Sequence, residues 1–381
     1  MSAKNCHLFF CYHYHYKEKQ GDVNIENKKI TLGSLFDGIG IFPLAASHFG
    51  IEPVWVSEID KNAIAVTKRH FPHMKHLGDI KKIDVRKTEL VDIIAFGSPW
   101  QNLSLIGDRT GISGVKSSLF FEAIRIINEM RDYTNGLYPT FAVWENVAGS
   151  LVSGRRNDFR TILEAFTGSA VPMPHTKWAN AGMVRRSELE LCWRVLDAQY
   201  FGTPKLLQRR KRVFIVCDFR KRSAHKILYK PRHIKEDTKA VDKGGSTASK
   251  NDRKDTYKTG GEYPNVRAFE ERRMRTGAKE KKPSVFLKGL GDINSPYPTL
   301  LAGSPAMIAF WYEGREDDGC IRYLTPMECE RLMGFPDDYT KYSYTGATIK
   351  DSARLKAIGN SIALPCADYI FSGIKEVLEE E

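Results

Sequence analysis

From Ile30 onward, short apolar runs alternate with longer segments in which apolar and polar positions recur at helical spacing. Ile30-Thr31-Leu32, Val54-Trp55-Val56, Val91-Asp92-Ile93-Ile94-Ala95-Phe96, Thr140-Phe141-Ala142-Val143-Trp144 and Val213-Phe214-Ile215-Val216-Cys217 have strand length. Leu44-Ala45-Ala46-Ser47-His48-Phe49 reads as helix. Such alternation predicts an α/β fold, a mixed, mostly parallel sheet with helices on both faces. A later helix is entered at Thr325-Pro326-Met327-Glu328. Thr325 as N-cap, Pro326 at the first helical position and Glu328 at the third predict a capping box. Cys192 is expected in a helical stretch and Cys217 in a strand. Residues 1–28 read as an extension carrying an aromatic cluster from Cys6 to Tyr16. There Cys11, His13 and His15 alternate on one face of a strand with no fourth ligand at finger spacing, so no metal is expected.

With 381 residues, 42% of them hydrophobic, the chain can bury a sizeable core and suits one large domain with a second, smaller lobe. Its seven cysteines (6, 11, 192, 217, 320, 329 and 366) are odd in number and irregularly spaced, and no secretory signal pattern opens the chain. A reduced, cytoplasmic protein is expected. No apolar run approaches the roughly 18–20 residues that span a bilayer. Charge changes the picture more. Residues 221–282 hold 19 Lys+Arg against 9 Asp+Glu, so this one segment carries most of the chain's formal +12. It is either a solvated insertion, as its Gly244-Gly245-Ser246-Thr247-Ala248-Ser249 stretch suggests, or a lobe that neutralises phosphates.

The candidate chemistry lies where strands end. The first strand runs into Phe36-Asp37-Gly38-Ile39-Gly40, whose glycines let the backbone bend and approach a ligand. Glu58 follows Gly38 by 20 residues, the place where such folds set a carboxylate on ribose hydroxyls. A nucleoside cofactor is implied, although Pro43 occupies the third glycine position of the dinucleotide fingerprint, which weakens NAD as the alternative. Two polar loops are then expected to leave the same edge of the sheet, Gly97-Ser98-Pro99-Trp100-Gln101-Asn102-Leu103-Ser104 and Glu145-Asn146-Val147. Glu145 is the leading candidate acid.

Taken in order, Phe36-x-Gly38-x-Gly40, Glu58, Gly78-Asp79-Ile80, Gly97-x-Pro99-x-Gln101, Glu145-Asn146-Val147, Gln208-Arg209-Arg210-Lys211-Arg212-Val213 and Gly359-Asn360-Ser361 resemble the DNA (cytosine-5) methyltransferases, in particular the phage and restriction-modification type. Leu324-Thr325-Pro326 and Arg331-Leu332-Met333-Gly334-Phe335-Pro336 extend the similarity, which covers about residues 30–220 and 320–370. The resemblance implies a Rossmann-like S-adenosylmethionine-dependent methyltransferase fold. Residues 29–220 and 321–381 would form the catalytic domain and 221–320 a target-recognition lobe on double-stranded DNA. A monomer in a bacterial cytoplasm, from a phage or prophage, is expected.

The same resemblance implies cofactor contacts from Phe36, Gly38, Gly40, Glu58, Asp79, Ile80, Pro99, Asn360 and Ser361. It implies a catalytic set of Gln101, Ser104, Glu145, Arg210 and Arg212 around a nucleophile at position 100, with Glu145 and Arg210 holding a flipped cytosine. The family's nucleophile is a cysteine that adds to C6; here the residue is Trp100. Three readings stand. The chain is an otherwise complete enzyme inactivated at one position, a binder of DNA and cofactor without turnover, or a methyltransferase for an exocyclic nitrogen, which would favour an Asp or Asn before Pro-Pro-Tyr, a motif absent from this sequence. Further departures are Lys116, where the family has Arg, and Lys205-Leu206-Leu207, three extra residues between Pro204 and Gln208.

Overall fold

The computed structural model describes residues 29–98, 119–230, 265–273, 285–302, 306–312 and 315–380. The elements run β1 (Thr31–Leu35), α1 (Ile41–Ser47), β2 (Glu52–Ser57), α2 (Lys61–His70), β3 (Lys75–His76), β4 (Ile93–Phe96), α3 (Leu119–Tyr133), β5 (Phe141–Val147), α4 (Asn157–Thr167), β6 (Ala181–Arg186), β7 (Leu189–Asp197), β8 (Lys211–Asp218) and α5 (Ala224–Leu228). After them come β9 (Asn265–Arg273), β10 (Val285–Leu290), β11 (Met307–Tyr312), β12 (Arg315–Tyr323), α6 (Pro326–Met333), α7 (Asp351–Asn360) and α8 (Leu364–Glu379).

Eight strands form one sheet in the order β3-β2-β1-β4-β5-β8-β7-β6. β3, β2, β1, β4 and β5 pair in parallel, and β8, β7 and β6 continue antiparallel. The chain leaves β1 toward β2 on one side and returns to β4 on the other. The crevice at the carboxyl ends of β1 and β4 is therefore the switch point where such sheets take ligands.

Both faces are buried, which is why the strand sequences lack a polar side. Ile93, Ala95, Phe141, Val143, Phe214 and Val216 pack on one face with α1, α5 and α8. Ile94, Phe96, Ala142, Trp144, Ile215 and Cys217 pack on the other with α3 and α4. On α8, Ile370, Phe371 and Ile374 are fully buried, each contributing about 1.5–3 kcal/mol. The smaller sheet, β10-β9-β11-β12, is wholly antiparallel. Thr325, Pro326 and Glu328 form the capping box expected of α6.

Two expectations are corrected. Cys192 lies in β7, not in a helix, because Leu191, Cys192 and Trp193 are buried between β8 and β6. The large unit also continues past residue 220, since Ala224, Ile227 and Leu228 bury α5 against β7 and α8.

Candidate active site and cofactor turn

Phe36, Gly38 and Gly40 all adopt left-handed backbone conformations (φ 53, 60 and 83°) immediately after β1. A Cβ on Gly40 would press on Thr67 at 3.3 Å and Phe71 at 3.4 Å, whereas one on Gly38 would meet nothing within 4 Å. Gly38 thus faces open space. Glu58 follows β2 and closes the turn from the side. One carboxylate oxygen accepts from Gly38 N–H (2.8 Å), and the other accepts from Ile59 and Asp60 N–H (2.7 and 2.8 Å). Thr67 Oγ1 donates to Gly38 C=O at 3.2 Å, and Tyr339 Oη donates to Ile39 C=O at 2.9 Å. Beyond β3, Asp79 accepts from Lys81 N–H at the head of the short turn Ile80–Lys82, and Ile80 is buried. Gly78, like Gly38, has open space where a Cβ would sit.

Asp37, to which the sequence reading gave no role, is buried inside the turn. Its Oδ1 accepts from Ser34 Oγ at 2.6 Å, while Oδ2 has no protein partner. Burial raises its pKa to about 7, against the pull of the Ser34 bond and with a smaller push from Glu58. Because the folded value exceeds the ordinary 3.8, the native state holds a proton that the unfolded chain releases. That contribution is complete below pH 3.8 and fades as pH rises through 7. Asp37→Asn, which mimics the protonated acid, should therefore leave stability unchanged at acid pH. Above pH 7 it should raise stability by as much as about 4 kcal/mol. Urea unfolding below pH 3.8 and again above pH 7 measures this, and equal gains at both would refute it.

Glu145 lies within β5. The strand runs on to Val147, so Glu145 and Asn146 belong to the sheet and not to a loop, correcting the expectation. The β4–β5 register pairs Phe96 with Trp144, which sets Glu145 beside Gly97. A Cβ on Gly97 would stand 3.2 Å from Glu145 Oε2, so glycine leaves this carboxylate room. Arg212 Nε on β8 lies 3.0 Å from Glu145 Oε1. Burial raises the Glu145 pKa, and Arg212 and Arg210 offset part of the rise. Asn146 Nδ2 donates to Ser98 C=O at 2.9 Å, and Trp144 Nε1 donates to Ser98 Oγ at 3.1 Å. These bonds tether the start of the segment that leads to position 100. Asn146 in an apolar strand was the signal for such a tether. Pro99, Trp100, Gln101, Ser104 and Lys116 lie outside the described residues, as does the 1–28 extension.

Arg210, expected to hold the base, is bonded to backbone carbonyls through its terminal nitrogens. Only 1% exposed, it donates from Nη1 to Leu300 C=O (3.0 Å) and from Nη2 to the carbonyls of Gly359 (3.0 Å) and Ser361. With those donors committed to backbone, Arg212 is the arginine left facing the carboxylate. Gln208 does parallel work: its Nε2 donates to Leu332 C=O (2.9 Å) and its Oε1 accepts from Leu300 N–H (3.1 Å). The extra Lys205-Leu206-Leu207 is accommodated, with Leu206 buried near Gly334 and Arg212 still beside Glu145. Asn360 ends α7, one turn after Lys356, whose Nζ is 3.9 Å from Asp60 next to the Glu58 turn. Ser361 contributes its carbonyl to Arg210.

Among the described cysteines, Cys192 and Cys217 are buried, and burial pushes the Cys192 thiol up to about 12 and Cys217 well above its ordinary value. Neither is a reactive thiolate. The described residues contain no group of His, Cys, Asp and Glu suited to a metal. None of their helices is long and apolar enough to cross a membrane.

A family model described as C-5 cytosine-specific DNA methylase matches residues 30–376. The chain belongs to this family. Among the related methylases, Type II methyltransferase M1.ScrFI of Lactococcus lactis subsp. cremoris is 28% identical, over 94% of this chain and 81% of its own. Type II methyltransferase M.HhaI of Haemophilus parahaemolyticus is 25% identical, over 91% and 96%. A protein of Escherichia phage P1 named DNA N-6-adenine-methyltransferase is 26% identical over 90% of this chain, which spans 61% of that relative's length. The methylase fold is shared with the S. pombe Dnmt2 methyltransferase (TM-score 0.52, 16% identity, covering 92% of this chain and 99% of that one). It is shared also with a prophage-encoded DNA modification methyltransferase from E. coli (TM-score 0.51, 17% identity, 92% and 100%).

Proposed function

We propose that this methylase binds S-adenosylmethionine at the Phe36–Gly40 turn and a flipped cytosine of double-stranded DNA at Glu145. With Trp100 in the nucleophile's place, it does not complete transfer to C5. The observation that carries this reading is the Glu145–Arg212 pair flush against Gly97. A carboxyl whose pKa is raised by burial holds a proton at higher pH than usual, and it can donate that proton to the acceptor nitrogen N3 of cytosine. Arg212 orients the carboxyl. Gly97 and the tethered Ser98, the last described residue before position 100, stand beside this carboxylate.

The turn suits a nucleoside cofactor on three counts: open space at Gly38 and Gly78, the Glu58 carboxylate between them, and the unpartnered Oδ2 of Asp37. Phe36, Asp79, Ile80, Pro99, Asn360 and Ser361 would complete the site. When bound, S-adenosylmethionine supplies an electrophilic methyl group. Attack by cytosine C5 needs a nucleophile already added to C6, and an indole cannot add there. The basic 221–320 segment supplies phosphate contacts, with a few side chains reading bases.

A second reading, methylation of an exocyclic amine, is favoured by the name of the phage P1 relative and needs no thiol. One experiment separates the two. Cofactor binding is measured by calorimetry, and DNA exposed to the protein and labelled cofactor is hydrolysed to nucleosides. The expected result is binding without 5-methylcytosine or N6-methyladenine. N6-methyladenine would establish the second reading, and failure to bind S-adenosylmethionine would overturn the first.

A further inference from the structure

The last turn of α2 and the segment that follows it read Lys68-Arg69-His70-Phe71-Pro72-His73-Met74-Lys75-His76, with six basic or imidazole residues in nine and no acid. Of these, Lys68, Arg69, His70, Pro72, Met74 and His76 line an open cavity at the β3 edge of the large sheet, together with Tyr344 from the α6–α7 connection. Lys68 Nζ lies 5.5 Å from the centre of the Tyr344 ring, and Arg69 Cζ lies 5.3 Å from that of Tyr342. Tyr344 N–H is fixed to Ala65 C=O at 3.0 Å, so the aromatic arm is held against the helix.

A helix C-terminus alone favours cations in its last turn, and that accounts for Lys68, Arg69 and His70. It does not account for the tyrosines brought from another element, nor for His76. Both ring nitrogens of His76 are buried and without a partner, although the ring borders the cavity. A cation pair, an imidazole whose ring nitrogens have no partner and the Tyr344 ring in one cavity, with no carboxylate among its lining residues, match a phosphodiester. The cavity lies about 10 Å along α2 from the Glu58 turn, at the β3 edge of the sheet and four strands from β5, which carries Glu145.

We propose that this cavity is a second contact for the phosphate backbone of duplex DNA, engaged when the duplex runs on beyond the cytosine held at Glu145. The inference rests on the reading that this chain binds duplex DNA. Two lysine or arginine contacts to phosphate add about 1.8 to the slope of log affinity against log salt.

The test compares the protein with Lys68→Gln/Arg69→Gln on a short duplex that covers only the neighbourhood of the target base and on a long one. Thermal unfolding confirms that the variant is folded. The expected result is about a tenfold loss on the long duplex, a salt slope reduced by about two, and unchanged affinity for the short duplex and for S-adenosylmethionine. Unchanged affinity and slope on the long duplex overturn the second contact and leave the main reading intact. Absence of DNA binding by the unaltered protein overturns both.

Discussion

Trp100→Cys is expected to turn a chain that leaves DNA unlabelled into one that transfers methyl groups to cytosine C5. The gain would be about six decades in rate, or roughly 8 kcal/mol of barrier. The size follows from chemistry and not from packing, because without a thiolate at C6 the ring carbon C5 is not a competent nucleophile. The supporting geometry stands already: Arg212 is 3.0 Å from Glu145, and Asn146 and Trp144 anchor Ser98, two residues before the substitution. Cys192 and Cys217 cannot stand in, since both are buried with thiols held protonated. Trp100→Ser is the control, opening the same space without a comparable nucleophile. Labelled methyl transfer to mixed-sequence DNA should be seen with the Cys form alone. Labelling by the protein as it stands would refute the role assigned to Trp100. Silence of all three forms would make this chain a binder.

Arg210→Met should destabilise the large unit by about 3–5 kcal/mol, well beyond an average substitution. The aliphatic chain fills similar volume, but the carbonyls of Leu300, Gly359 and Ser361 lose their donors in a buried site. Arg210→Lys should recover only part, because one ammonium on a flexible stem cannot reproduce the planar fork. Urea unfolding gives the stability, and S-adenosylmethionine affinity reports on the nearby end of α7. An arginine whose business was to hold a base would, when removed, weaken DNA binding and spare stability, and that outcome would reinstate the reading from sequence.

The sheet was legible in the sequence because a strand buried on both faces has no polar alternation to obscure it, as β4, β5 and β8 show. The glycine turn was legible for a related reason: the left-handed conformations of Gly38 and Gly40 demand a rare residue at fixed positions. Cys192 was misplaced because Glu190 and Arg194 interrupt β7 at a spacing that a helix also permits. The role of Arg210 was hidden for a different reason. Its partners lie 90 to 151 residues away, and carbonyl acceptors have no signature in the side-chain sequence. Asp37 was in plain view within the turn, yet only the structure shows its second oxygen unpartnered.

The bond from Tyr339 to Ile39 joins positions 300 residues apart, and α8 packs on α1 from the other end of the chain. During synthesis, the glycine turn therefore emerges from the ribosome long before the residues that brace it. A nascent chain ending ahead of α6 would carry every strand of the large sheet and still lack the support beneath its first turn. Bracing of the turn is then a late event in synthesis, coupled to the appearance of α6 to α8 rather than to formation of the sheet.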